Sequence, residues 1–236
     1  MHILNIKIDN LTKKEILQKV RFFLSEEKFH QIATINPEFI LEAQKNEEFK
    51  NILNNCDLNV ADGIGIKFAF WRYGKRLKCR MAGADLMKRI IRLAHENKLT
   101  IFLAANSEGL SSWEETRDEI NRLYPELIVD GDNIDPKDDA YQILSSSCQI
   151  VFCNFGAPYQ ENFLKRQKND RIRLAMGVGG SFDFLTQKVH RAPMFLRFVG
   201  LEWLWRLFQK PDPGRPRRWK RILRAVIIFP IKIIFN

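Results

Sequence analysis

The chain has 236 residues, 45% apolar and 28% charged, a length that buries a sizeable core and a composition that excludes disordered and low-complexity classes. No stretch reaches the length of a transmembrane helix. The formal charge of +10 calls for an anionic partner: nucleic acid, an anionic membrane surface or a phosphorylated substrate. Cys56, Cys79, Cys148 and Cys153 form no C-x-x-C pair and no His stands at ligand spacing, so a reduced cytosolic protein without a structural metal is expected. The N-terminus lacks the apolar run of a secretory signal.

Ile3 to Ile8 alternates like a short strand, and Thr12 with Glu15 reads as a capping box opening a helix through about Leu24. Residues 31–36 form the next expected strand, with Pro37 at the first position of a helix through Ala43. Thr34 and Asn36 therefore fall at a strand's carboxyl end, where a T-x-N serves either as a cap or as a ligand contact.

Residues 57–61 form a short strand that stops at Asp62-Gly63, followed by a helix from Ile64 containing Phe68, Phe70 and Trp71. Asp62 has two readings. It is the N-cap of that helix, or it is a carboxylate at the mouth of a sheet, where ligands bind in open α/β folds. Arg80 stands just ahead of another helix, in which Leu86, Ile90, Ile91 and Leu93 recur at helical spacing. Gly83 permits close backbone approach there, and Arg80 is either a solvated cation or a phosphate clamp.

Residues 99–104 then read as a strand, 111–123 as a helix and 127–129 as a strand closed by Asp130-Gly131. Asp135-Pro136 predicts a capped helix to about Leu144. Residues 149–156 form a buried-type strand before a helix that starts at 157–161, and residues 174–183 repeat strand, glycine turn and helix. This alternation predicts a mostly parallel, Rossmann-like α/β sheet with helices on both faces. Gly177-Val178-Gly179-Gly180 is not G-x-G-x-x-G, but its exposed N–H donors suit a nucleotide's phosphates or base.

From Arg191 onward the chain becomes aromatic and apolar, with a helix expected over 194–208 and proline breaks from Pro211 to Pro216. A core over 1–209 and a basic amphipathic C-terminal appendage over 210–236 are expected. Beyond Asp212 there is no acid, while Arg215, Arg217, Arg218, Lys220, Arg221, Arg224 and Lys232 are basic. Arg217, Arg221 and Arg224 fall on one helical face, and the aliphatic run 226–235 suits a segment lying among lipid headgroups. Each cation near an anionic leaflet contributes about 1 kcal/mol. The alternative is a basic helix packed on the core or on another subunit. Nucleic-acid binding ranks third, because no reading module is recognisable.

Seven motifs now stand in order: Thr34-x-Asn36, Ala61-Asp62-Gly63-x-Gly65, Arg80-x-x-Gly83-x-Asp85-Leu86, Gly156-x-Pro158-x-Gln160-Glu161, Gly177-Val178-Gly179-Gly180-x-Phe182-Asp183, Arg191-Ala192-Pro193 and Gly200-Leu201-Glu202-Trp203-x-x-Arg206-Leu207. As an ordered set they resemble the bacterial WecG/TagA/CpsF glycosyltransferases. The resemblance implies inverting, metal-independent and cofactor-free transfer of a sugar, N-acetylmannosamine in the best-known members, from a UDP-sugar donor to a polyprenyl-diphosphate-linked sugar acceptor. It places that transfer at the cytoplasmic face of the plasma membrane, in synthesis of a cell-surface polymer.

By position, the resemblance makes Asp62 the general base, with Thr34 counted as catalytic beside it. Asn36 and Arg80 share that pocket, while Gln160, Gly179, Gly180 and Asp183 fall at the donor nucleotide. Gly63, Gly83, Glu161 and Arg191 are substrate-binding positions by the same motifs. Arg206, Arg215 and Arg218 match arginines that offset charge on the UDP leaving group. A displacement at an anomeric carbon needs a base for the hydroxyl and cations for the departing diphosphate, in line with these assignments. The other class of function that fits is a non-catalytic basic nucleotide- or nucleic-acid-binding α/β protein. Exposed apolar surface near the tail leads us to expect a homo-oligomer in the absence of membrane.

Overall fold

The computed structural model describes residues 1–144, 148–202, 204–205 and 222–235. Six parallel strands form one sheet in the order β4-β3-β8-β7-β5-β6. They are β3 (His30–Ile35), β4 (Leu58–Ala61), β5 (Ile101–Asn106), β6 (Val129–Ile134), β7 (Ile150–Cys153) and β8 (Leu174–Gly177). The chain runs outward from β3 to β4, crosses to β5 and β6 on the other side, and returns to fill the gap with β7 and β8. Neighbouring strand ends of β3 and β8 thus leave in opposite directions, the point at which α/β sheets open a crevice for ligands.

The alternation of strand residues splits the core. On one face Ile32, Leu58, Val60, Leu103, Phe152 and Met176 pack with helices α1 (Lys13–Ser25), α5 (Gly83–Glu96) and α6 (Trp113–Leu123) and with Phe182 of α8 (Ser181–Leu185). On the other, Ala33, Ile35 and Ala61 pack with α2 (Pro37–Ala43), α3 (Glu47–Asn55) and α4 (Ile64–Arg72). Val151, Cys153 and Ala175 meet α7 (Tyr159–Arg166) on that same side through Phe163 and Leu164.

The Thr12 capping box forms as expected, with the Glu15 N–H donating to the Thr12 side chain and Thr12 N–H to Glu15. Several boundaries differ from expectation. Residues 3–8 make a small hairpin, β1 (His2–Ile3) with β2 (Ile6–Lys7), because Leu4 and Asn5 both take positive φ. The helix from Pro37 ends at Ala43 as expected, but a separate, unexpected α3 follows it, capped by Asn46 accepting from Phe49 N–H. β6 runs through Asp130-Gly131 rather than ending there, and Gly131 fits because a Cβ would meet Leu103 O at 2.6 Å and Trp113 at 2.8 Å.

The helix expected over 135–144 does not form. Asp138 folds back to accept from the N–H groups of Ala140 and Tyr141, and the Gln167 side chain takes Ile143 N–H and donates to Tyr141 O. Side-chain bonds have replaced the helical ladder. The helix expected over 194–208 is broken. α9 (Met194–Val199) ends at Gly200, φ +83°, where Leu201 N–H donates to Leu196 O in a Schellman closure. Glu202, Leu204 and Trp205 are helical again, with Leu204 and Trp205 N–H donating to Leu201 O, while residues 203 and 206–208 and the face of Arg217 and Arg221 lie outside the described residues.

The described end of the tail is a π turn over Arg224–Ile228 leading into α10 (Phe229–Ile234). Phe229 and Ile233 are fully buried against the α2, α3 and α4 side of the core. Leu223, Ile227, Ile228, Ile231, Ile234 and Phe235 remain exposed.

Candidate active site

β3 and β4 pair in register up to Ile35 and Ala61, and Asp62 N–H extends the pairing by donating to Ile35 O at 2.8 Å. The chain then turns at Gly63, φ +82°, a conformation that costs glycine little. Gly63, not Asp62, is the N-cap of α4, and as a glycine it offers that helix no side-chain cap of its own. Asp62 stands one residue ahead of that cap. Met81 N–H donates to Ala61 O at 3.0 Å, which threads Arg80 past the strand end that carries Asp62.

Gly83 opens α5 directly against Thr34, where a Cβ would stand 3.2 Å from the hydroxyl oxygen. Asn36 is a helix cap, its Oδ1 accepting from Phe39 N–H at 3.0 Å. The capping reading holds for that oxygen.

A second cluster forms at the ends of β7 and β8. The Gln160 side chain is buried, and its Oε1 accepts from both Gly156 N–H at 3.0 Å and Gly179 N–H at 3.1 Å. Its Nε2 donates to Glu161 Oε1 at 2.6 Å. One amide therefore ties the turn after β7 to the glycine turn after β8 and fixes its own orientation on Glu161.

Glu161 faces the interior below this turn, and Gly177 has no room for a Cβ against either side chain. Burial pushes the Glu161 carboxyl up to about 8, against the opposing pull of its bonds to Gln160 and to its own backbone. Near neutrality it is mostly uncharged. Asp183, in the first turn of α8, accepts from the buried Ser111 hydroxyl at 2.9 Å, and Ser111 also meets Thr186 Oγ1 at 2.8 Å. Gly180 lies beside the carboxylate, a Cβ there standing 3.5 Å from Asp183 Oδ2.

Arg191 reaches across from the segment before α9 and holds Asp85 in the first turn of α5. Burial disfavours its charge, but the hydrogen bonds and charge of Asp85, with the charges of Glu202 and Asp62, outweigh it and push the guanidinium up. A permanent cation is thus fixed on Asp85, within the fields of Glu202 and Asp62.

Thr34, Asn36, Asp62, Gly63, Arg80 and Gly83 are therefore gathered at the ends of β3 and β4, and Gln160, Glu161, Gly179 and Gly180 at the ends of β7 and β8. The pairing of β3 with β8 makes the two groups neighbours. Arg206, Arg215 and Arg218 lie outside the described residues. Sequence reasoning passed over Asp85 and Ser111 as individual participants. Asp85 was signalled by an acid in a first helical turn, whereas nothing local marks Ser111, whose partners are 72 and 75 residues away. Among the described residues no three His, Cys, Asp or Glu side chains gather as a metal site would need.

The model of the glycosyl transferase WecG/TagA/CpsF family matches residues 1–236. A protein from Bacillus spizizenii is 32% identical over 206 residues, covering 85% of this chain and 77% of its own. One from Bacillus subtilis is 30% identical over 221 residues, covering 92% and 80%. A third, from Staphylococcus aureus, is 28% identical over 242 residues, covering 98% and 91%. All three are named N-acetylglucosaminyldiphosphoundecaprenol N-acetyl-beta-D-mannosaminyltransferase.

Proposed function

The chain belongs to the glycosyl transferase WecG/TagA/CpsF family, and we propose that it moves N-acetylmannosamine from UDP-N-acetylmannosamine to polyprenyl-diphosphate-linked N-acetylglucosamine in building a cell-surface polymer. The names of its relatives support this donor sugar and acceptor. The observation that carries the reading is the place of Asp62 at the carboxyl end of β4, one residue ahead of the α4 cap, with Arg80 threaded past the same strand end.

In the proposed mechanism Asp62 takes the proton of the acceptor hydroxyl as its oxygen attacks the anomeric carbon. The bond from that carbon to the UDP oxygen breaks, its electron pair stays on the diphosphate, and configuration inverts. Thr34 and Asn36 line the acceptor side. The glycine turn at Gly179-Gly180, held by Gln160, offers N–H donors to the nucleotide. Arg80 supplies positive charge on the leaving-group side, together with Arg206, Arg215 and Arg218 of the C-terminal segment. Arg191 is a positioning residue, since both terminal nitrogens of its guanidinium are held by Asp85.

No helix among the described residues is long and apolar enough to cross a membrane. We place the protein peripherally at the cytoplasmic face of the plasma membrane, held by the basic, apolar segment 210–236, with no role for nucleic acid and with self-association when membrane is absent. The test is UDP release by the full chain with a panel of UDP-sugars and a lipid-diphosphate N-acetylglucosamine acceptor, with and without EDTA. Acceptor-dependent release from UDP-N-acetylmannosamine that survives EDTA is expected. Absence of release with every donor, alongside salt-sensitive nucleic-acid binding, would favour the non-catalytic reading.

A further inference from the structure

The acid-free tail has a counterpart. From Gly63 to Ala84 there is again no Asp or Glu, while Lys67, Arg72, Lys75, Arg76, Lys78 and Arg80 are cationic. These two segments, 63–84 and 213–236, hold 13 of the 38 Lys and Arg and none of the 28 Asp and Glu, so the rest of the chain is net −3. The positive charge of the protein is therefore concentrated in two stretches about 130 residues apart in sequence, and the fold packs the described end of the second, residues 222–235, against α4 of the first.

Phe229 sits against Gly65, where a Cβ would stand 3.4 Å from its ring, and Arg72 Nη2 donates to Ile234 O at 3.2 Å. α4 and α10 are neighbours along this length. Beside the tail's exposed Ile231, Lys232, Ile234 and Phe235, α4 presents Lys67, Arg72 and Trp71, the last 71% exposed and 5.9 Å between ring centroids from Phe68. Lys75 follows on the exposed turn after α4.

We infer that α4 and the tail form one docking surface for an anionic lipid bilayer, with Trp71 as an interfacial anchor and Lys67, Arg72 and Lys75 as headgroup contacts. This deepens the reading above and rests on its lipid-borne acceptor. Aliphatic and aromatic side chains interleaved with cations and free of acids match a headgroup region, where Trp lies at the boundary and Lys reaches outward. A second copy of this chain would bring like charges face to face. Asp62 stands just ahead of α4, whose rise from Ile64 to Trp71 is about 10 Å at 1.5 Å per residue. A core helix in contact with the bilayer thus sets the depth of the candidate base relative to the acceptor's first sugar, which a tail acting alone through a hinge does not.

The test is co-sedimentation of the full chain with phosphatidylglycerol–phosphatidylcholine vesicles and with phosphatidylcholine alone. The wild type is expected to bind the anionic vesicles preferentially. The variant Trp71→Ala, Lys67→Glu, Lys75→Glu, with its tail intact, is expected to lose about tenfold or more of that binding while keeping its thermal transition and UDP-sugar affinity. The separate variants Lys67→Glu and Lys75→Glu, each expected to weaken binding partially, serve if the triple variant misfolds. Anionic binding undiminished in the folded variants, equal binding to both vesicles, or a wild-type dimer that persists on the anionic vesicles and that Trp71→Ala dissociates would overturn the inference. Vesicle binding without UDP release would sink the transferase reading and leave this one standing; release without vesicle binding would do the reverse.

Discussion

Arg191 grips Asp85 with both ends of its guanidinium, Nη1 to Oδ1 at 2.7 Å and Nη2 to Oδ2 at 3.1 Å. The fork joins the segment leading into the C-terminal region to the first turn of α5, whose opening glycine rests on Thr34. Two ends of the candidate site are therefore set by one ion pair. Arg191→Lys keeps the charge and loses the planar fork. Urea denaturation is expected to show a loss of about 1–3 kcal/mol, and UDP release a fall in kcat larger than the change in donor KM. An unaltered kcat would assign the pair to stability alone.

Asp62→Asn removes the base and preserves the shape of the turn, because the backbone bond from residue 62 to Ile35 O is retained. Loss of a general base costs roughly 10²–10⁴ in rate. The kcat should fall by that factor with UDP-sugar affinity by calorimetry nearly unchanged. Full turnover would remove Asp62 from the mechanism.

Glu161 gives the protein a pH signature. Its carboxyl is raised from 4.5 to about 8, so the folded state holds a proton that the unfolded state releases. Its contribution to stability is complete below about pH 4.5, declines as pH rises and is lost above about 8. Glu161→Gln keeps an acceptor for Gln160 Nε2 and removes the titration. From about pH 5 to about pH 9 the variant's melting temperature should gain on the wild type by about 4 °C or more. Donor KM should rise in the wild type over the upper part of that range and stay flat in the variant. A constant gap in melting temperature would show that the carboxyl is not buried in its neutral form.

Phe229→Ala empties a fully buried ring site between the tail and α4. Such truncations cost about 3–5 kcal/mol when the whole domain must bear them. Here the loss should appear first as release of the tail, seen as faster proteolysis after residue 210 at an almost unchanged melting temperature of the sheet. Unchanged proteolysis would show that the remaining contacts hold the tail without this ring.

The legible part of this fold is the part written in local spacing. Capping at Thr12 and Asn36, the apolar strands and the glycine turns after β4 and β8 all announce themselves within a few residues, which is why the parallel α/β class follows from sequence. The helix expected at 135–144 failed because a distant glutamine, Gln167, satisfies the backbone there. The break at Gly200 was written in the sequence but masked by the apolar residues around it.

The candidate site divides in the same way. The sequence by itself determined which chemistry-bearing residues stand at strand ends, since an acid between glycine and a buried strand has no other easy place. Strand order, which is set by the burial of both sheet faces rather than by any local signal, put β8 beside β3 and so left the Gly179 turn one strand away from the β4 end that carries Asp62. Only the tertiary structure could turn Gln160 from a presumed ligand contact into the tie between two loops. Only it could bring α4 against the described end of the tail, because charge and apolar surface far apart in sequence add up only once packing has made them one face.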